Sequence, residues 1–214
     1  MPSAIEAAVI ELQLPPGALG PEAVTSDVRC FVVPHEGGVV LVDAGPPGSI
    51  APIEAALSRA GASWSDVSDV VLTHAHLDHV GGLADVLALA PRATPRAGAP
   101  DAPEIARDVK RVISALTDGD RVGDLTVVET SGHTPGHISL LHEVAELLLI
   151  GDLVGSLNGS LTLGPPQFTV DPLGRNRSLE RVLGLDVRRI LFSHGAEHPN
   201  PKEAIRELLS EKAR

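Results

Sequence analysis

Apolar and polar positions fall into short runs of period two and a few longer stretches of helical spacing. Ile5 to Leu14 alternates loosely and stops at Pro15-Pro16-Gly17, which predicts a strand closed by a turn. Val28 to Val33 and Val39 to Val42 are apolar runs separated by Gly37-Gly38, the pattern of a hairpin. Ser49 is placed to cap a helix running to about Ala60, with Pro52 tolerated in its first turn. Ser63 to Asp69 leads into a strand ending in Val70-Val71-Leu72, and Gly81 to Leu89 reads as a helix. Pro91 to Pro103 holds four prolines, so a loop is expected there, with at most a short strand at Thr94 to Ala97. A helix over Glu104 to Arg111 follows, then a turn at Thr117-Asp118-Gly119-Asp120 and a strand over Leu125 to Glu129. Ile138 to His142 and Leu147 to Ile150 read as paired strands, and Gly155 to Asn176 as loop. A helix begins at Ser178, a short strand covers Arg189 to Phe192, and Lys202 to Lys212 forms a terminal helix. Strands and amphipathic helices are interspersed with no separating linker, which points to one layered α/β domain over residues 1–214.

The same pattern shows where polar chemistry collects. Thr73-His74-Ala75-His76-Leu77-Asp78-His79-Val80-Gly81 follows an apolar strand and brings three imidazoles and a carboxylate into six positions. Residues two apart on extended chain share a side, so His74 and His76 point together. Asp78 and His79 then stand where the next helix begins. Crowding three imidazoles without a ligand would cost desolvation and repulsion, whereas a cation needs such convergence. Single polar groups also follow the strands that end near Asp43, His133, Asp152 and His194, and strand ends along one sheet edge are the usual place for α/β sites. With Asp43 set aside, five histidines and two carboxylates exceed what one tetrahedral ion takes and suit two metals sharing a carboxylate.

Composition narrows the classes. The net charge of -11 works against phosphate-led binding of nucleic acid, and 2% aromatics with no tyrosine leave little for base stacking. Cys30 is the only cysteine, which excludes an internal disulfide and a thiolate-rich zinc site; between Val28 and Phe31-Val32 it is expected to be a buried strand residue. The first twenty residues show neither a basic n-region nor a long apolar stretch, and no later run reaches membrane-spanning length, so a cytoplasmic location with no membrane partner is expected.

The stretch from Thr73 to Gly82 resembles the HxHxDH signature of the metallo-β-lactamase superfamily. Ser131-Gly132-His133-Thr134-Pro135-Gly136-His137 is similar to the next histidine motif in glyoxalase II-like members. Val42-Asp43-Ala44-Gly45, Gly151-Asp152 and Ser193-His194-Gly195 match the early Asp and the later Asp and His motifs in order. The resemblance covers roughly residues 28 to 200 and implies a four-layer αβ/βα sandwich with a metal site at one edge. It implies His74, His76 and His133 around one metal and Asp78, His79 and His194 around a second, with Asp152 bridging and Asp43 orienting a ligand from behind. The implied cofactors are two divalent ions, zinc first and iron or manganese as alternatives. The implied chemistry is attack by a metal-bridging hydroxide on an ester, thioester or lactone, with Asp78 holding the nucleophile or taking its proton.

Several branches fit less well. True β-lactamases usually lack an acidic residue at the Asp152 position. Glyoxalase II typically carries a further C-terminal region, whereas about twenty residues follow His194 here. Acyl-homoserine lactonases generally use a tyrosine near the substrate, and nucleic-acid-processing members add large extra domains. Two other classes stay open: a mononuclear iron oxygenase resembling persulfide dioxygenases, and a non-catalytic metal-binding module. A small-molecule substrate is expected, with Phe168 as a candidate apolar wall and Arg96, Arg175 and Arg177 as candidate contacts to an anionic group. His137 is expected beside the site, and His35, His142 and His198 in turns or at the surface. Oligomeric state is open.

Overall fold

The computed structural model describes residues 4–14, 16–17, 21–157 and 159–212. In chain order the strands and helices are β1 (Glu6–Leu14), β2 (Val24–His35), β3 (Gly38–Val42), α1 (Ile50–Arg59), β4 (Val67–Leu72), α2 (Leu77–Val80), α3 (Leu83–Leu89), β5 (Thr94–Gly98), α4 (Ala102–Val109), β6 (Ser114–Leu116), β7 (Arg121–Val122), β8 (Leu125–Glu129), β9 (Ile138–His142), β10 (Leu147–Leu149), β11 (Gly155–Leu157), β12 (Ser160–Thr162), α5 (Pro172–Leu183), β13 (Arg189–Leu191) and α6 (Pro201–Lys212). Short 3-10 turns cover Trp64–Asp66 and Pro166–Phe168.

One sheet runs β1-β2-β3-β4-β5-β6, antiparallel through β3 and parallel from β3 to β6. The second runs β13-β10-β9-β8-β7, with β10 and β13 parallel. Central strands are apolar at successive positions because both of their faces are buried. Val39, Leu41, Val70 and Leu72 pack with Ile53, Leu57, Leu83, Val86 and Ile105 of the helices on one side. The intervening Val40, Val42 and Val71 meet Leu125, Val127, Leu140, Leu147 and Leu149 of the other sheet. Leu148 faces outward from the second sheet to meet Leu179, Val182 and Ile205 of α5 and α6. The order is therefore helix, sheet, sheet, helix: the expected αβ/βα sandwich.

Most expected elements are present, with informative departures. The β2–β3 hairpin closes with His35 opposite Gly38, and Cys30 lies fully buried in β2, where burial and then Asp43 push its thiol well up. Pro15 of the expected first turn lies outside the described residues. Ser49 does precede α1, but its hydroxyl donates to the Pro46 carbonyl at 2.6 Å and does not cap the helix. The helix expected from Gly81 instead begins at Leu77 and breaks at Gly81-Gly82. A Cβ on Gly82 would stand 2.3 Å from the Ala44 carbonyl oxygen, and the Gly82 N–H donates to the Gly45 carbonyl at 2.8 Å. The break is the docking of this turn on the end of β3, and it leaves Asp78 and His79 inside a helical turn. Ser114–Leu116 is a strand unmarked by the pattern. Residues 155–176 contain the β11–β12 hairpin and the start of α5, where the Asp171 side chain accepts from the Gly174 N–H and Pro172 takes the first turn. Among the described residues, no helix is long and apolar enough to cross a membrane.

Leu148 supports both terminal helices from a fully buried position. Leu148→Ala is expected to lower the unfolding free energy by about 2–5 kcal/mol in urea titration. Val144→Ala, at an exposed site, should change it by less than about 0.5 kcal/mol. Equal effects would contradict the packing described.

Candidate metal centre

The β3, β4, β10 and β13 strands end side by side, and each delivers a polar residue just past its last apolar one: Asp43, His74, Asp152 and His194. His133 arrives from the turn between β8 and β9, and His76, Asp78 and His79 from the turn into α2. Two groups of potential ligand atoms result, each within 4.8 Å internally: His74, His76 and His133 in one, and Asp78, His79, Asp152 and His194 in the other. In the first, His76 Nδ1 lies 3.1 Å from His74 Nε2 and 2.9 Å from His133 Nε2. Zinc held at 2.0–2.1 Å by tetrahedral nitrogens would separate them by about 3.3 Å, so this spacing is near a ligand edge. In the second, His194 Nε2 lies 3.1 Å from Asp152 Oδ2 and 3.3 Å from Asp78 Oδ2, while His79 Nε2 lies 3.3 Å from Asp152 Oδ1.

Asp152 belongs to both neighbourhoods. Its Oδ2 is 3.9 Å from His74 Nε2 and 3.7 Å from His133 Nε2 as well as close to His194.

Behind the ligands, acceptors fix the rings. The fully buried Asp43 accepts from the Thr73 N–H at 2.8 Å, from the Thr73 hydroxyl at 2.9 Å, and from His79 Nδ1–H at 2.9 Å. A hydroxyl that donates to Asp43 can accept from His74 Nδ1–H, 3.1 Å away. One carboxylate thus turns His79 directly and His74 through Thr73, aiming both Nε2 atoms at the other potential ligand atoms. His194 Nδ1–H donates to the Asp27 carbonyl at 2.6 Å, with the same result. Asp43 holds φ at 62°, a strained value for a non-glycine residue.

His79 Nε2 and Asp152 Oδ1 are buried and make no hydrogen bond. Such atoms are costly to bury unsatisfied, and a cation is the partner their chemistry lacks. The donor set, all imidazole and carboxylate, fits zinc, iron or manganese.

Protonation separates the two groups. Burial drives His74, His76 and His133 toward their neutral forms, His133 down to about 4. Burial also opposes charge on His79 and His194, but Asp152 and Asp43 raise His79 well above its ordinary value, and Asp152 and Asp78 push His194 up to about 10. Burial works against the charge of Asp152 too, yet His194 and His79 hold its carboxyl well below the usual range.

Three further residues belong to this architecture. His137, packed beside the cluster, accepts the Asp152 N–H at Nε2 (3.0 Å) and donates from Nδ1 to the Thr130 carbonyl at 3.1 Å; burial lowers it to about 3, so it stays neutral. Gly151, at φ 65°, lets that contact form, since a Cβ there would stand 2.5 Å from His137 Nε2. Asp101, which falls within the stretch expected as loop, is buried against the two histidine loops.

Of the four pocket candidates, Phe168 alone meets the cluster, its ring centroid 6.2 Å from that of His76 and its side chain partly exposed. Arg96 lies within β5 and pairs with Asp69 at 2.6 Å. Arg175 is buried, holding the Leu163 carbonyl at 3.2 Å and the Thr169 hydroxyl at 3.3 Å. Arg177 pairs with Asp171 at 3.3 Å. The Thr169 hydroxyl stands 3.4 Å from His133 Nδ1, so Arg175 reaches His133 through Thr169.

Residues 25–194 match the family model described as the metallo-beta-lactamase superfamily. A hydroxyacylglutathione hydrolase of Ectopseudomonas mendocina (strain ymp) is 34% identical over 75% of this chain and 63% of its own length. The probable metallo-hydrolase YflN of Bacillus subtilis (strain 168) is 27% identical over 76% of each chain. The chain thus spans about three fifths of the length of the hydroxyacylglutathione hydrolase. Among solved structures, the metallo-beta-lactamase FIM-1 of Pseudomonas aeruginosa, in its mono-zinc form, superposes with a TM-score of 0.75 at 19% identity, covering 100% of this chain and 93% of that one. A metallo-beta-lactamase family protein of Thermus thermophilus gives 0.69 at 23% identity, covering 96% and 79%. These two share the fold.

In the metal-free protein the neighbouring carboxylates favour the doubly protonated imidazolium at His79 and His194, whereas burial favours the neutral ring at His133 and His74. Zinc entering the Asp78–His79–Asp152–His194 group must displace protons, so its affinity there should climb about tenfold or more per pH unit near neutrality, while affinity at the three-histidine group stays nearly flat above pH 6.5. Calorimetric titration in buffers of different ionisation heat counts the protons. Release of none, or one pH dependence shared by both steps, would contradict this electrostatic picture.

Proposed function

The chain belongs to the metallo-β-lactamase superfamily, and on that premise we propose that residues 1–214 act as one domain, a metal-dependent hydrolase cleaving an ester, thioester or lactone in a small cytosolic substrate. The support is one juxtaposition: Asp152 stands between two groups of potential ligand atoms, and two of those atoms are buried without a hydrogen bond. His74, His76 and His133 would hold one divalent ion and Asp78, His79 and His194 the other, with Asp152 shared. When bound, such ions, zinc first and iron or manganese as alternatives, lower the pKa of water from about 15.7 toward neutrality and stabilise charge developing on a carbonyl oxygen.

The chain's own residues supply the rest. Asp43 and the Asp27 carbonyl keep the ring protons of His79 and His194 on the far side, so their lone pairs face inward. Asp78 is the more exposed of the two carboxylates in the cluster, with a side-chain exposure of 32% against 12% for Asp152. That position lets it orient an attacking water and take up its proton. Leu77 and Val170 are exposed, Phe168 partly so, and each lies in a segment tied to His76 or His133. With Arg96, Arg175 and Arg177 already partnered, this rim favours an uncharged apolar acyl or lactone group over an anionic one.

The test is metal content by mass spectrometry coupled to a panel of ester, thioester, lactone and persulfide substrates. About two zinc ions per chain with hydrolysis is expected, and Asp78→Asn should cut kcat by about 100-fold or more. Iron with oxygen uptake on a persulfide would replace the proposal with a dioxygenase. Metal binding without turnover on any substrate would leave a binding module.

A further inference from the structure

Asp101 occupies the residue before α4, where an aspartate ordinarily caps the helix, yet its side chain makes no capping hydrogen bond. The carboxylate is turned inward and is only 3% exposed. Its Oδ2 accepts from the Ala75 N–H at 3.1 Å and from the Thr134 hydroxyl at 2.6 Å, and its Oδ1 accepts from the Gly136 N–H at 2.7 Å. Among the described residues no cation lies within ion-pair distance of it. Ala75 separates His74 from His76, and Thr134 follows His133. We propose that Asp101 is a positioning residue that sets the spacing of the three-histidine group by tying its two loops to one carboxylate.

A Cβ on Gly136 would stand 2.6 Å from Asp101 Oδ1, and one on Gly98 would stand 2.0 Å from the Gly136 carbonyl oxygen. The histidine loop after β8 is thus pressed against the end of β5, and Asp101 is the latch. Both oxygens receive donors, so an amide cannot replace it: whichever way asparagine turns, its NH₂ faces an N–H or hydroxyl donor. The negative charge also stands directly behind the loop that carries His74 and His76. A carboxylate held behind neutral imidazoles favours a cation among them.

The inference rests on the proposed metal reading, and the test separates the two. Chelator-stripped wild type, Asp101→Asn and Thr134→Val are titrated with cobalt(II), followed by the visible band, and with zinc against a chromophoric chelator. His133→Ala identifies the step that belongs to the three histidines. Wild type should show two steps. In Asp101→Asn the three-histidine step should weaken about 10–100-fold with an altered cobalt band, while the other moves less than about threefold. Thr134→Val should weaken the same step several-fold and decides the matter should Asp101→Asn not fold. An unchanged three-histidine step, or equal weakening of both steps, overturns the latch. Wild type that binds no ion sinks the metal reading itself.

Discussion

A neutral imidazole turns one lone pair toward a cation while an acceptor holds the proton on its other ring nitrogen, and the register of these strand ends supplies such acceptors to His74, His79 and His194. Asp43 is the hub. At the end of β3 it takes three donors: the Thr73 backbone, the Thr73 hydroxyl, and His79 Nδ1–H. Through Thr73 it governs His74, so one buried carboxylate fixes a histidine in each ligand group. The register of β3 on β4, with Val42 beside Val71, brings these residues together. The left-handed backbone of Asp43 is the local strain that the surrounding packing sustains.

The four layers explain why this polar cluster survives in an apolar interior. Two sheets pack face to face and are covered outside by helices, and the polar cluster sits past the apolar core, at the ends of the strands. There the chain changes direction after β3, β4, β10 and β13, and the turns carry the polar side chains. Each layer of support serves the next. Thr130 holds His137, His137 holds the Asp152 backbone, and Asp152 stands between the two ligand groups. Arg175 reaches His133 through Thr169. Within the cluster, His79 Nε2 and Asp152 Oδ1 are buried without a hydrogen bond.

The layering was legible because strands buried on both faces must be apolar at consecutive positions, as Val39 to Val42 and Leu147 to Ile150 are. The histidine cluster was legible because its chemistry lies in six adjacent positions. Local patterns were silent where tertiary contacts decide. The short strand expected at Thr94 to Ala97 is present, but its inner place in the sheet despite Pro95 comes from parallel pairing with both neighbours. The helix break at Gly81-Gly82 follows from contact with Ala44 and Gly45, distant in the chain. Asp171-Pro172 did carry a readable helix start, and α5 begins there instead of at Ser178. Asp101 passed as one more residue of the loop expected at Pro91 to Pro103 because its three partners lie 26 to 35 positions away. Arg175 gave no sign that it would turn inward toward Leu163 and Thr169.

The central claim is that seven side chains from separate strand ends enclose two cations with Asp152 between them. Anomalous diffraction from zinc-loaded crystals tests it most directly. The account predicts two peaks about 3.5–4 Å apart, one within reach of His74, His76 and His133, the other within reach of Asp78, His79 and His194, and Asp152 touching both. A zinc-replete crystal with density at neither group, or with metal held by other residues, would contradict it.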